Sequence, residues 1–204
     1  MWEVIGILFK ILVVLAIAMG SIAYLILFER KVAAWAQDRL GPNRAGPLGL
    51  IQAIADGLKL VLKEDVIPSH VTKPLYILAP MIAIGAAVIA FAVVPFGPVG
   101  SNAPFDFQIA PGVDLGIVYI FAVGSLAVYG VILAGWASNN KYSFLGAMRS
   151  SAQLISYEIP LGLSILGIVL LARSLDLNTI INWQDQNGWG IFYQPVGFLI
   201  FLVS

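Results

Sequence analysis

Glu158 is the residue with the clearest chemical potential in this chain. It lies in SAQLISYEIPLGLS, inside a run apolar enough to cross a bilayer. Counted from Ala152 it is about six residues into that run, roughly 9 Å at 1.5 Å per residue. A carboxylate there is costly and normally faces a protein interior or a water cavity. Desolvation lifts a carboxyl toward neutrality, which suits it to carrying protons. The alternative is a structural glutamate bonded to a neighbouring helix, and the residues leave both readings open. Gln153 and Tyr157 stand four apart beside it, and Ser151 and Ser156 add hydroxyls. Pro160 cannot donate to the Ser156 carbonyl, which frees an acceptor locally.

A second cluster runs from Glu29 to Asp65, reading ERKVAAWAQDRLGPNRAGPLGLIQAIADGLKLVLKED. Charges of both signs crowd the foot of an apolar span: Glu29, Arg30, Asp38, Arg39 and Arg44. Such charges must pair or be hydrated, which points to a hydrated pocket at the membrane surface. Gly41-Pro42-Asn43 and Gly46-Pro47 interrupt any helix. Beyond them Ile51, Ile54, Ala55, Leu58, Val61 and Leu62 recur at helical spacing. Gln52, Asp56, Lys59 and Lys63 fall on another face. The pattern predicts an amphipathic helix over about 48–64, lying in the interface. Taken alone, that polar face also reads as solvated and weakly paired.

The elements that must position these residues are membrane spans. A bilayer core takes about 20 apolar residues as a helix. Four stretches qualify, at about 4–28, 75–96, 115–137 and 152–172. The first lacks a basic leader and is too long for a signal-peptide core, so it reads as a true membrane helix. Lys10 within it reads as snorkelling to the interface. A fifth run, 189–204, is apolar but too short to span, so the chain is expected to continue past Ser204. The fold class is therefore an all-α integral membrane protein, a single membrane domain over 1–204. It is expected to have transmembrane helices plus an interfacial amphipathic helix, and to be truncated in the fifth span.

Orientation follows from the basic residues. Arg30, Lys31, Arg39, Arg44, Lys59, Lys63 and Lys73 lie between the first and second spans. Lys141 and Arg149 lie between the third and fourth. These two connections are expected on the cytoplasmic side. The segment from Pro95 to Asp114 carries Asp106 and Asp114 without a base. The segment after the fourth span sets Arg173 against Asp176 and Asp185. Both read as ordinary exterior loops.

Composition removes several function classes. The chain is 60% hydrophobic and 11% charged, with mean hydropathy +0.93. Soluble domains carry about 25% charged residues. There is no cysteine and one histidine, His70. Thiolate chemistry, iron–sulfur ligation and a bis-His haem are excluded within this chain, and a metal site is not expected. A net charge of zero argues against nucleic acid.

The segments ERK at 29–31, QDRLGPNRAGPLG at 37–49, QAIADGLKLVLKED at 52–65 and GWASNNKYSFLGAMRSSAQLISYE at 135–158 closely resemble one family. It is the H subunit of proton-pumping NADH:quinone oxidoreductase, respiratory complex I. The resemblance covers essentially the whole chain. It implies an all-α protein of eight transmembrane helices at the heel of the membrane arm, lining the chamber for ubiquinone or menaquinone. By motif position, Glu29, Arg30, Arg39, Asp56 and Lys59 resemble the polar residues of that chamber. Glu158 resembles the first intramembrane glutamate of the proton connection.

The resemblance further implies that the chain binds no cofactor itself. Quinone is the substrate, and FMN and the iron–sulfur clusters sit in partner subunits. Its partners are the other subunits of both arms and lipid. The GPN at 41–43 favours a bacterial or mitochondrial enzyme, and a bacterial cell inner membrane is the expected location. The family continues with an acidic loop and further helices, so no complete site is expected within these residues. A second reading is the homologous membrane subunit of an energy-converting hydrogenase, which shares the amphipathic segment less completely.

Overall fold

The computed structural model of the chain describes residues 2–97, 108–110 and 112–204. Asp106 lies outside the described residues. Among those described, all regular structure is helical: α1 (Trp2–Ala36), α2 (Gln52–Leu62), α3 (Lys73–Ala90), α4 (Gly116–Ala137), α5 (Lys141–Ala172), α6 (Leu177–Asn187), α7 (Gly190–Tyr193) and α8 (Pro195–Val203). Four of them, α1, α3, α4 and α5, are long and apolar enough to cross a membrane. At most 17% of any of their most apolar windows is buried within the chain. So much uncovered apolar surface does not suit water, and the protein is an integral membrane protein.

The chain divides into two compact units, Met1–Val66 and Ile67–Ser204. In the first, α1 does not stop where hydropathy falls at Phe28. It continues through Glu29-Arg30-Lys31 to Ala36, so these three charges are helical and not in a loop. Glu, Arg, Lys and Ala are all good helix formers, and charge does not end a helix. Asp38, at φ 53, then turns the chain. The helix α2 is shorter than the expected 48–64. Leu48 at φ 54 and Gly49 at φ +79 cannot continue a helix, and Pro47–Gly49 forms only a short 3₁₀ turn.

In the second unit α3, α4 and α5 pack in sequence. Gly130 lets α4 approach α3 closely: a Cβ added there would stand 2.8 Å from the Ala79 carbonyl oxygen and 3.1 Å from the Ala83 Cβ. Small residues serve close helix approach in membranes in this way. Ala137, Ser138 and Asn139 lead directly into α5, whose Asn140 side chain caps the Tyr142 amide at 2.9 Å. That cap sets the start of α5 eleven residues before the hydropathy-based boundary at Ala152. Arg149 is therefore helical, and the connection between α4 and α5 is a tight turn.

The two ends of this unit differ in charge. At one end the Thr72 amide bonds the Ala137 carbonyl and Asn139 bonds the His70 carbonyl, which brings Lys73 and Lys141 to the same end. At the other end the Ile117 amide bonds the Leu175 carbonyl, beside Asp114 and Asp176. The segment after Ala172 is not an open loop. Asp176 caps α6 by accepting from the Asn178 and Thr179 amides. The terminal apolar run is also broken, with α7 and α8 parting at Gln194 before Pro195.

Candidate functional site

The chemistry-bearing residues form one cluster in each unit. In the first unit Arg30 on α1 pairs with Asp56 on α2. Gln52, one turn before Asp56, donates to the other carboxylate oxygen at 3.0 Å. The Gln52 hydrogen bond, then the Arg30 hydrogen bond, hold the Asp56 carboxyl below the usual carboxylate range. The charges of Arg30 and Lys59 act in the same direction. The pair is hydrated, with side chains 48% and 31% exposed. Lys31 Nζ donates to the Leu48 carbonyl at 2.5 Å, fastening α1 to the turn before α2.

Arg30 and Arg39 share a hollow of about 430 Å³, lined also by Ala33, Leu40, Gly41 and Pro42. The hollow lies between α1 and the Gly41-Pro42 turn, with Asp56 reaching it only through Arg30. Arg39 Nε donates to Gln37 at 2.7 Å and meets no acid among the described residues. Glu29 makes no hydrogen bond or ion pair among the described residues. Lys59 is exposed and contributes charge without touching Asp56.

The turn itself is built by close backbone contact. A Cβ on Gly49 would lie 2.2 Å from the Pro42 carbonyl oxygen, in a backbone already at φ +79. The Gly41-Pro42-Asn43 turn therefore packs directly on Gly49. The contact holds together the turn that precedes α2.

In the second unit Glu158 lies 17 positions after Lys141, about 26 Å along α5 at 1.5 Å per residue. This places it far deeper in its helix than the 9 Å obtained by counting from Ala152. Its hydrogen-bond partner is not a neighbour on its own helix. Ser125 of α4 bonds the Glu158 carboxylate across the helix pair. Ser156 instead bonds back to the Ala152 carbonyl at 2.7 Å. The Ser151 hydroxyl is buried without a partner among the described residues.

Glu158 is half-buried and faces an apolar cavity of about 730 Å³ lined from α3, α4, α5, α6 and α8. Phe121, Gly124, Leu161, Ile165 and Phe201 line it. Among the lining residues the titratable groups are Glu158 and Tyr157. Ser125 is a site residue that sequence reasoning does not single out. Its only signal is being a hydroxyl within the otherwise apolar FAVGSLAV.

Comparison with known proteins assigns the chain to a family. The model of the family described as NADH dehydrogenase matches residues 9–204. The chain belongs to the NADH dehydrogenase family. It is 48% identical to NADH-quinone oxidoreductase subunit 8 of Thermus thermophilus over 96% of this chain and 53% of that protein. It is 50% identical to the H subunit of NADH-quinone oxidoreductase from Bacillus thuringiensis subsp. konkukian over 100% of this chain and 59% of that protein. The first of the H subunits of Cytophaga hutchinsonii is 49% identical over 86% of this chain and 52% of its own length. The chain thus spans between half and three fifths of the length of these relatives.

Proposed function

We propose that this chain is part of the membrane subunit of an NADH:quinone oxidoreductase, located in a bacterial inner membrane. In this reading Arg30, Arg39 and Asp56, with Glu29 and Lys59 nearby, form a polar margin of the quinone chamber. Glu158 links quinone reduction to proton movement. The names of the relatives supply the reaction, and NADH oxidation, FMN and the iron–sulfur clusters belong to partner subunits.

The observation that carries the proton role is Glu158 itself. It is a carboxylate deep in a 32-residue apolar helix, facing an apolar cavity and held by a hydroxyl on the next helix. Carboxylates so placed usually mark proton routes. Gln keeps the shape of Glu158 but cannot exchange a proton, and Asp keeps the titrating group on a shorter arm. In the assembled complex Glu158→Gln should abolish most coupled turnover, while Glu158→Asp keeps a substantial part. Assembled Glu158→Gln complex with normal quinone turnover and proton pumping refutes the reading.

A further inference from the structure

Ser125 makes two hydrogen bonds that its single proton cannot both supply. Its Oγ lies 2.9 Å from the Phe121 carbonyl oxygen, one turn back along α4. The same Oγ bonds Glu158 Oε1. A serine hydroxyl has one O–H donor and two acceptor lone pairs. Both the Phe121 carbonyl and an ionised carboxylate are acceptors only. Whichever of them receives the Ser125 proton, the other contact needs a proton from elsewhere. The Phe121 carbonyl can supply none, whereas Glu158 can once it is protonated.

From this we infer that Ser125 is a two-state positioning residue that reports and stabilises the protonation state of Glu158. This rests on the reading of Glu158 as a proton carrier. When Glu158 is ionised, the Ser125 O–H donates to the carboxylate, and the Phe121 carbonyl keeps only its backbone bond. When a proton arrives on the carboxylate, the new carboxyl O–H donates to Ser125 Oγ. The Ser125 proton then rotates to the Phe121 carbonyl. No covalent bond at Ser125 forms or breaks. The proton gained by Glu158 comes from the coupled reaction, and the hydroxyl only turns.

The surroundings favour a decisive role for one hydroxyl. Among the residues lining the cavity, the charged side chain is Glu158 and the other titratable group is Tyr157. The faces of α3, α4, α6 and α8 that line the cavity bring no acidic or basic side chain to it. Ser156, two positions from Glu158, spends its hydroxyl on the Ala152 carbonyl. Against so apolar a lining, a hydrogen bond to the charged carboxylate is worth more than one made in solvent. The protonated state satisfies both contacts and the ionised state keeps the bond to the carboxylate, without moving either helix, because a hydroxyl rotates where a fixed donor would favour one state.

The test uses the assembled complex in membranes, with Ser125→Ala, Ser125→Thr and Glu158→Gln compared with the parent. Two readouts are taken: coupled NADH:quinone turnover, and the infrared carboxyl stretching band assigned by its loss in Glu158→Gln. Ser125→Ala is expected to lower coupled turnover by about tenfold, the loss of one hydrogen bond to a charged group. It should also move the Glu158 carboxyl band to higher wavenumber, toward that of an acid with no acceptor. Ser125→Thr keeps the hydroxyl and should restore both. A carboxyl band unchanged in Ser125→Ala, with parental turnover, overturns the inference while Glu158→Gln still loses coupling. Should Ser125→Ala fail to assemble, the band position in Ser125→Thr against that in a Ser125→Gly complex decides the matter in the same way. A normal Glu158→Gln complex instead removes the proton-carrier reading beneath it.

Discussion

Arg30 and Asp56 stand 26 positions apart, and their side chains meet where α2 folds back along α1. The pair joins the last turns of a membrane-length helix to the middle of the amphipathic one. Removing either partner leaves the other charge in place, at a site whose geometry it helped to hold. If the proposed quinone-margin role holds, Asp56→Ala should lower quinone reductase activity by about two- to fivefold, in the range expected for a hydrated pair. NADH oxidation by an artificial acceptor, which bypasses the membrane arm, should stay at the parental rate. Equal loss of both activities would reveal an assembly defect and remove the case for a quinone-margin role.

The same pair predicts an acid response. The Asp56 carboxyl lies below its ordinary value of 3.8, through Gln52 first and Arg30 second. A depressed carboxylate adds stability that is present above the unfolded value and lost as pH falls through the folded one. The association of α1 with α2 should be constant from pH 8 to about pH 5 and should weaken only below about pH 4. Spin labels on the exposed faces of α1 and α2 report it as a distance distribution. Asp56→Asn should lose this acid step, and a distance that already changes near pH 6 would assign control to another group.

Gly49 and Gly57 offer a contrast within one short segment. Gly49 sits at φ +79 with Pro42 backbone where a Cβ would go, whereas nothing lies within 4 Å of a Cβ on Gly57. Gly49→Ala should cost about 1–3 kcal/mol through strain and displacement of the turn. Gly57→Ala, inside α2, should be neutral or stabilise by up to about 1 kcal/mol. Thermal unfolding of the detergent-solubilised complex distinguishes the two. Equal effects would mean that the turn does not set the position of α2.

The membrane character and the four long helices are legible in the sequence because about 20 apolar residues in a row have few other uses. The helix ends are not. Hydropathy marks where lipid stops, while capping and propensity mark where helix stops, and the two differ at Ala36 and at Asn140. The Asp56 carboxylate is visible on its helical face, but its partner is not. Asp56 to Lys59 is the pairing that spacing offers, and the fold supplies Arg30 instead. Glu158 is visible as a lone acid in an apolar run. Its bond to Ser125 depends on the register between α4 and α5, which side-chain packing sets and local sequence does not encode. The α6 helix escapes a hydropathy reading because Asp176 counts there as loop charge and not as a helix cap.

The charge difference between the ends of the second unit yields a prediction of sidedness. Lys73 and Lys141 mark one end, and Asp114, Asp176 and Asp185 mark the other, where Arg173 is the exception. Basic residues near span ends stay on the cytoplasmic side. Tyr142, 73% exposed at the start of α5, should lie on that side. Gln186, exposed near the end of α6, should lie on the opposite side. The chain contains no cysteine, so single replacements at these positions give unambiguous targets. A membrane-impermeant thiol reagent added to intact cells should label Gln186→Cys and leave Tyr142→Cys unmodified. Inverted vesicles should give the reverse. Where a partner protein covers a position, labelling after mild detergent treatment restores the comparison. The opposite pattern would turn the unit over.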